Sequence, residues 1–182
     1  MNTFISMLRG INVTGHNIIS MSDLNKLYES IDFKNVITYV QSGNVIFDTT
    51  IKDASKLSSL IETQIKKSFN LSVSVLIRDK NDLQRIISGN PFIKRKKDPI
   101  KLYVTFLQSV PAPFDFNKLP LPSTESDEFI LVDKEIFIFC PNGYGRSKLN
   151  NNFFEKKLNV IATTRNLNTV NVLYKLASEK KA

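Results

Sequence analysis

The sequence predicts an α+β fold: a ferredoxin-like β-α-β-β-α-β N-terminal lobe followed by a second, smaller α+β lobe. Two observations carry this. Apolar runs of strand length alternate with segments whose apolar residues recur at helical spacing. Capping residues and glycine-bearing turns stand at the junctions between them. Together they place a strand-helix-strand-strand-helix-strand series over residues 3–77, the split βαβ order.

Thr3 to Leu8 reads as a strand, closed by Arg9-Gly10 and a polar loop to Ser20. A helix over Met21 to Ser30 follows, with Ser20 as its cap and Asp23 three residues on as a capping-box variant. Met21, Leu24, Leu27 and Tyr28 form its apolar face. Asn35–Val40 and Asn44–Asp48 are strands joined by Gln41-Ser42-Gly43-Asn44, a tight hairpin in which Gly43 is free to take positive φ. Asp53 to Phe69 is a helix with Leu57, Leu60, Ile61 and Ile65 along one side, and Leu71–Ile77 is the fourth strand.

Asp79 is placed to cap a short helix over 80–88, and Asn90-Pro91-Phe92 opens a linker. Ile100–Leu107 alternates, with Ile100, Leu102, Val104 and Phe106 on one face. The proline-rich stretch 109–127 reads as an irregular loop. Phe129–Val132 and Ile136–Cys140 form a hairpin. A glycine-bearing loop over Pro141–Arg146, a helix over 147–158, a strand over Ile161–Arg165 and a helix over 166–178 complete the chain. The expected lobes are 1–90 and 91–182, the second packed against the first or merged with it in one compact domain. No internal sequence repeat is visible.

Composition excludes several classes. No apolar run is long enough to cross a membrane, and the N-terminus lacks a signal-peptide pattern, so the expectation is a cytoplasmic protein with no membrane partner. Cys140 is the single cysteine and His16 the single histidine. An internal disulfide is impossible, and a four-ligand structural zinc site within the chain is excluded. A conventional triad would have to use His16, which sits in a polar loop. An oxygen-rich magnesium site remains open.

Net charge is +8 and uneven: residues 1–91 carry 10 Lys/Arg against 8 Asp/Glu, or +2, and residues 92–182 carry 15 against 9, or +6. The densest run, Lys94-Arg95-Lys96-Lys97, reads either as a solvated loop or as a footprint for nucleic acid.

Three ordered segments stand out. The first is Leu8-Arg9-Gly10-Ile11-Asn12-Val13, with Gly15 and Asn17 after it. The second is Thr38-Tyr39-Val40-Gln41-Ser42-Gly43-Asn44-Val45-Ile46-Phe47. The third is Gly145-Arg146-Ser147-Lys148-Leu149 with Thr163-Thr164-Arg165-Asn166-Leu167-Asn168-Thr169-Val170. With Asn90-Pro91-Phe92, these resemble the bacterial family known as domain of unknown function 1697, over nearly the whole chain. The resemblance implies an α+β fold with ferredoxin-like parts and transfers no reaction. Thr14, His16 and Leu167 depart from residues usual in the family, Leu167 replacing a tryptophan.

Each segment sets Arg, Asn, Gln, Ser or Thr beside a glycine or an element end, where binding groups commonly sit. The candidate ligand-binding residues are Arg9, Asn12, Gln41, Ser42, Asn44, Arg146, Ser147, Thr164, Arg165 and Asn166. One reading is a cleft for an anionic, phosphate-bearing ligand such as a nucleotide or phosphorylated metabolite, with Arg165 at a helix start where an anion is favoured. The bland reading is that these groups tie turns together. A histidine-independent, magnesium-dependent enzyme and nucleic-acid binding through basic loops are the alternatives. Gly143 to Lys148 lacks the P-loop spacing. An RNA-recognition motif would need aromatics where Ser42 and Asn44 stand. Catalytic residues, cofactor and oligomeric state are not specified by the pattern.

Overall fold

The computed structural model describes residues 1–113 and 126–179, so most of the proline-rich loop expected over 109–127 lies outside the described residues. The chain divides into two compact units: Met1–Gln84 with Val172–Ala182, and Arg85–Asn171.

The first unit contains β1 (Asn2–Leu8), α1 (Met21–Ser30), β2 (Lys34–Tyr39), β3 (Asn44–Thr49), α2 (Ala54–Phe69) and β4 (Val75–Asp79). Its antiparallel sheet has the order β2-β3-β1-β4, the ferredoxin-like arrangement. Alternation along β1 sends Phe4, Ser6 and Leu8 to the helix-covered face, where Phe4 and Leu8 join Leu24, Tyr28, Leu57 and Ile61 in one core. Phe47 anchors it, stacked on Phe33 with centroids 4.4 Å apart and edge-on to Tyr28 at 5.4 Å. Burying side chains of this size contributes about 2 kcal/mol each. Ile5, Met7, Ile46 and Leu76 on the other face are also buried.

Ser20 Oγ accepts from the Asp23 amide at 3.0 Å, as its capping role requires. Asp23 returns the contact to the Ser20 hydroxyl, which donates to Oδ2 at 2.7 Å. A full reciprocal box forms instead at α3 (Lys80–Gly89): the Asp82 amide donates to Asp79 Oδ1 at 2.7 Å and the Asp79 amide to Asp82 Oδ2 at 3.0 Å. The fourth strand begins at Val75 rather than Leu71. The ladder starts where Leu8 of β1 pairs with Val75, and residues 71–74 are an extended lead-in after the left-handed cap Asn70.

The second unit contains α4 (Pro91–Lys94), β5 (Leu102–Leu107), β6 (Glu128–Val132), β7 (Glu135–Phe139), α5 (Asn151–Leu158), β8 (Ala162–Asn166) and the start of α6 (Leu167–Glu179). Its sheet is separate, with order β6-β7-β5-β8. Leu107, Ile136, Ile138, Leu149, Phe154 and Leu158 build its helix-side core.

Two expectations fail here for local reasons. Ile100 is not in a strand: Asp98 caps a 3₁₀ turn over Pro99–Lys101, and Ile100 is 79% exposed while Leu102, Val104 and Phe106 are buried. The helix expected from 147 begins at Asn151. Asn150 caps it by accepting from the Phe153 amide at 3.0 Å, whereas Ser147 accepts from Leu149 in the loop before it. The linker also contains the short helical turn α4, capped by Asn90.

Candidate anion-binding site

The first two signature segments meet at one end of the first unit's sheet. Asn12 Nδ2 donates to the carbonyls of Ile19 and Gln41, both at 2.9 Å, and Oδ1 accepts from the Ile19 amide at 2.9 Å. One side chain thus ties the loop after β1 to the hairpin tip. Asn44, fully buried, donates to the Tyr39 carbonyl at 3.0 Å and to Ser42 Oγ at 3.1 Å, closing the tip from inside. Gly43 has φ +75, and a Cβ there would stand 2.5 Å from Ile11 Cδ1. Only glycine fits both the conformation and the space. Arg9 is half-buried and has partners within the protein; Gln41 and Ser42 are exposed.

The third segment lies in the second unit and is organised by Thr164. Its hydroxyl donates to Asn151 Oδ1 at 2.6 Å, accepts from Tyr144 Oη at 2.9 Å, and lies 2.7 Å from the Thr105 hydroxyl. Tyr144 also stacks on Tyr103 at 4.9 Å between centroids. The 3₁₀ turn Tyr144–Arg146 is therefore anchored at its first residue and presents Arg146 at its last. Arg146 is exposed, and its guanidinium has no partner among the described residues. It lines a crevice of about 170 Å³ with Asp127, Asn142, Gly143 and Ser147.

Arg165 is in the strand expected over Ile161–Arg165, but it is not an open cation at the helix start. It lies within β8 and is 7% exposed. Its Nη1 donates to Thr163 Oγ1 at 2.8 Å and to the Thr164 carbonyl at 2.9 Å. The strand runs to the residue before the helix, so Arg165 belongs to the ladder. Asn166 is the cap, accepting from the Thr169 amide at 2.7 Å. Thr164 and Asn166 thus hold structure, as do Asn12 and Asn44.

Cys140, beside the crevice, is buried, and burial pushes its thiol up to about 11 from 9.0. A hydrogen bond from Ser147 acts the other way, and the charge of Asp127 adds to the rise. The thiol is a protonated core group at neutral pH. Asp127 and Asn142 carry no motif in the sequence, and only the folded loop brings them to Arg146. Among the described residues no group of three His, Cys, Asp or Glu side chains is placed to hold a metal ion, and no helix is long and apolar enough to cross a membrane.

The fold and the paired signature loops define an α+β protein built on two antiparallel four-stranded sheets. Residues 1–137 match the family described as protein of unknown function (DUF1697), and the chain belongs to that family. A conserved bacterial protein from Streptococcus pneumoniae shares the fold, with a TM-score of 0.70 at 20% identity over 97% of this chain and 98% of that one. No curated protein matches.

Proposed function

We propose that this protein binds an anionic, phosphate-bearing ligand, a nucleotide or phosphorylated metabolite of the cytoplasm, with Arg146 as its charged contact. The observation that carries the reading is Arg146 itself. Of Arg9, Arg146 and Arg165, it alone has a side chain without a partner among the described residues, on a turn pinned by Tyr144 and Thr164. A guanidinium held this way meets a phosphate through two parallel hydrogen bonds. Asn142 and Ser147 supply neutral polar groups beside it. A crevice of about 170 Å³ has room for a phosphate group, with the remainder of the ligand outside.

The test is calorimetric titration of inorganic phosphate, AMP, ATP, glucose 6-phosphate and a short oligonucleotide into wild type, Arg146→Ala and Arg146→Lys. At least one phosphate compound is expected to bind. Arg146→Ala should lose tenfold or more, and Arg146→Lys should recover part of it, because lysine keeps the charge but not the fork. An unchanged affinity in Arg146→Ala would sink the reading. Oligonucleotide binding that survives Arg146→Ala and falls steeply with salt would move the interface to the basic run. There Arg95 and Lys97 already pair with Glu128, at 3.4 and 2.6 Å, while Lys94 and Lys96 are exposed. Arg165→Ala is a stability control, expected to cost about 2 kcal/mol through lost buried hydrogen bonds.

A further inference from the structure

A second cleft lies at the other end of the first unit's sheet, away from the signature loops. It measures about 720 Å³ and forms where β1 begins and β3 and β4 end. Its lining is about equally polar and apolar, Met1, Phe4 and Ala177 standing among the polar groups, and its side-chain charges balance, Lys52 and Lys80 offsetting Asp48 and Asp79.

One wall is a fixed network. Asp48 is 6% exposed, and its carboxylate accepts from Thr3 Oγ1 and from Asn35 Nδ2, both at 2.7 Å. Asn35 reaches it because β2 is irregular between Lys34 and Ile37, with Asn35 at φ +50. Such an irregularity re-aims a side chain, and asparagine tolerates the left-handed region better than most residues. The Thr3 oxygen can still accept, and Asn35 keeps its carbonyl oxygen and a second N–H. Asn81 brings another amide to the same cleft, and Phe4 adds apolar surface.

The Thr3 oxygen offers acceptor capacity to this cleft and the Asn35 and Asn81 amides each offer both donor and acceptor capacity, and they match groups that donate and accept at once. Hydroxyls do this; phosphates and ammonium groups do not. The volume lies in the range of small-molecule sites. From this we infer that the cleft binds a neutral polyhydroxylated small molecule, a sugar, with Asn35 and Asn81 hydrogen-bonding its hydroxyls and Asp48 holding Thr3 and Asn35 in place.

The experiment is saturation-transfer NMR with glucose, galactose, ribose and maltose as probes, at millimolar concentration, on wild type, Asn35→Gly, Asn81→Ala and Arg146→Ala. Asn35→Gly removes the amide while keeping the left-handed backbone accessible, and Asn81→Ala alters an exposed position. Transfer to at least one sugar is expected in wild type, reduced fivefold or more in Asn35→Gly and Asn81→Ala and unchanged in Arg146→Ala. No transfer to any of the four sugars, or transfer equal to wild type in both cleft variants, would overturn the proposal. Loss in Arg146→Ala alone would also overturn it, by assigning the sugar to the other crevice.

Discussion

The two sheets have one plan and different contents. In each, the middle strands pair in the same register: Ile5 opposite Arg78 and Ile46 in the first unit, Val104 opposite Arg165 and Phe137 in the second. Each outer strand on that side ends in a buried arginine followed by an Asx residue that caps a helix, Arg78-Asp79 and Arg165-Asn166. The differences lie in the connections. The first unit's hairpin turns through four residues, Val40 to Gly43, between the pair Tyr39 and Asn44. The second turns through two, Asp133 and Lys134, between Val132 and Glu135. The long tip carries signature residues, and the short one carries none. In the second unit the signature moves to the turn before α5. A shared framework thus bears its distinctive chemistry in loops that the framework does not dictate.

Substitutions at matching positions break or sharpen this comparison. The largest effect is expected at the core pair Phe47 and Ile138, which occupy the same register position opposite Phe4 and Tyr103. Phe47→Ala should cost about 4 kcal/mol and Ile138→Ala about 3 kcal/mol, by the usual scale for buried truncations, read from urea unfolding. A cost below about 1 kcal/mol at either position would mean that the two cores are not equivalent. The hairpin tips should diverge. Gly43→Ala is expected to cost about 2–3 kcal/mol, from the left-handed conformation and the approach of Ile11. Asp133→Gly, at φ +53, should change stability by less than about 1 kcal/mol. Equal effects would show that the long tip is no more constrained than the short one.

The smallest effect is a pH dependence. Cys140 keeps its proton more tightly in the folded state, so its contribution is fully present below about pH 9 and is lost as pH rises through about 11. The urea midpoint of wild type should therefore fall more steeply between pH 9 and 11 than that of Cys140→Ala. Tyr28, buried in the first unit's core and bonded to Ser6 at 2.7 Å, is shifted upward mainly by desolvation and from a higher starting value of 10.0. Its loss comes later in the titration. Parallel curves for wild type and Cys140→Ala would exclude Cys140 as the source.

Most of the first unit was legible because its elements report themselves locally. Ser20, Asp53 and Asp79 cap, Gly43 turns, and Leu57, Ile61 and Ile65 mark one helix face. The errors came where the deciding partner is distant in sequence. Leu71 to Ile77 alternates throughout, so only pairing with β1 could show that the ladder starts at Val75. Arg165 is in a strand as expected, but its burial there, opposite Val104 about sixty residues away, was not legible from its place next to a helix. Ser147 and Asn150 are both natural caps, and the sequence alone does not rank them. For the site, the residue types were readable, but not their division of labour. Asn12, Asn44 and Thr164 hold loops, and Arg146 remains available. The cleft around Asp48 had no sequence signal, since it is made by the ends of all four strands of the first sheet.

The division of the chain has a consequence for how it is made. The first unit includes Val172–Ala182, which follows the whole of Arg85–Asn171. A ribosome releasing this chain delivers both crossover helices and all four strands of the first sheet early, but the closing segment last. The second unit is contiguous and is complete before the first. Synthesis from the N-terminus therefore does not complete the two units in N-to-C order. The last residues of the first unit emerge only after the whole of the second has been made.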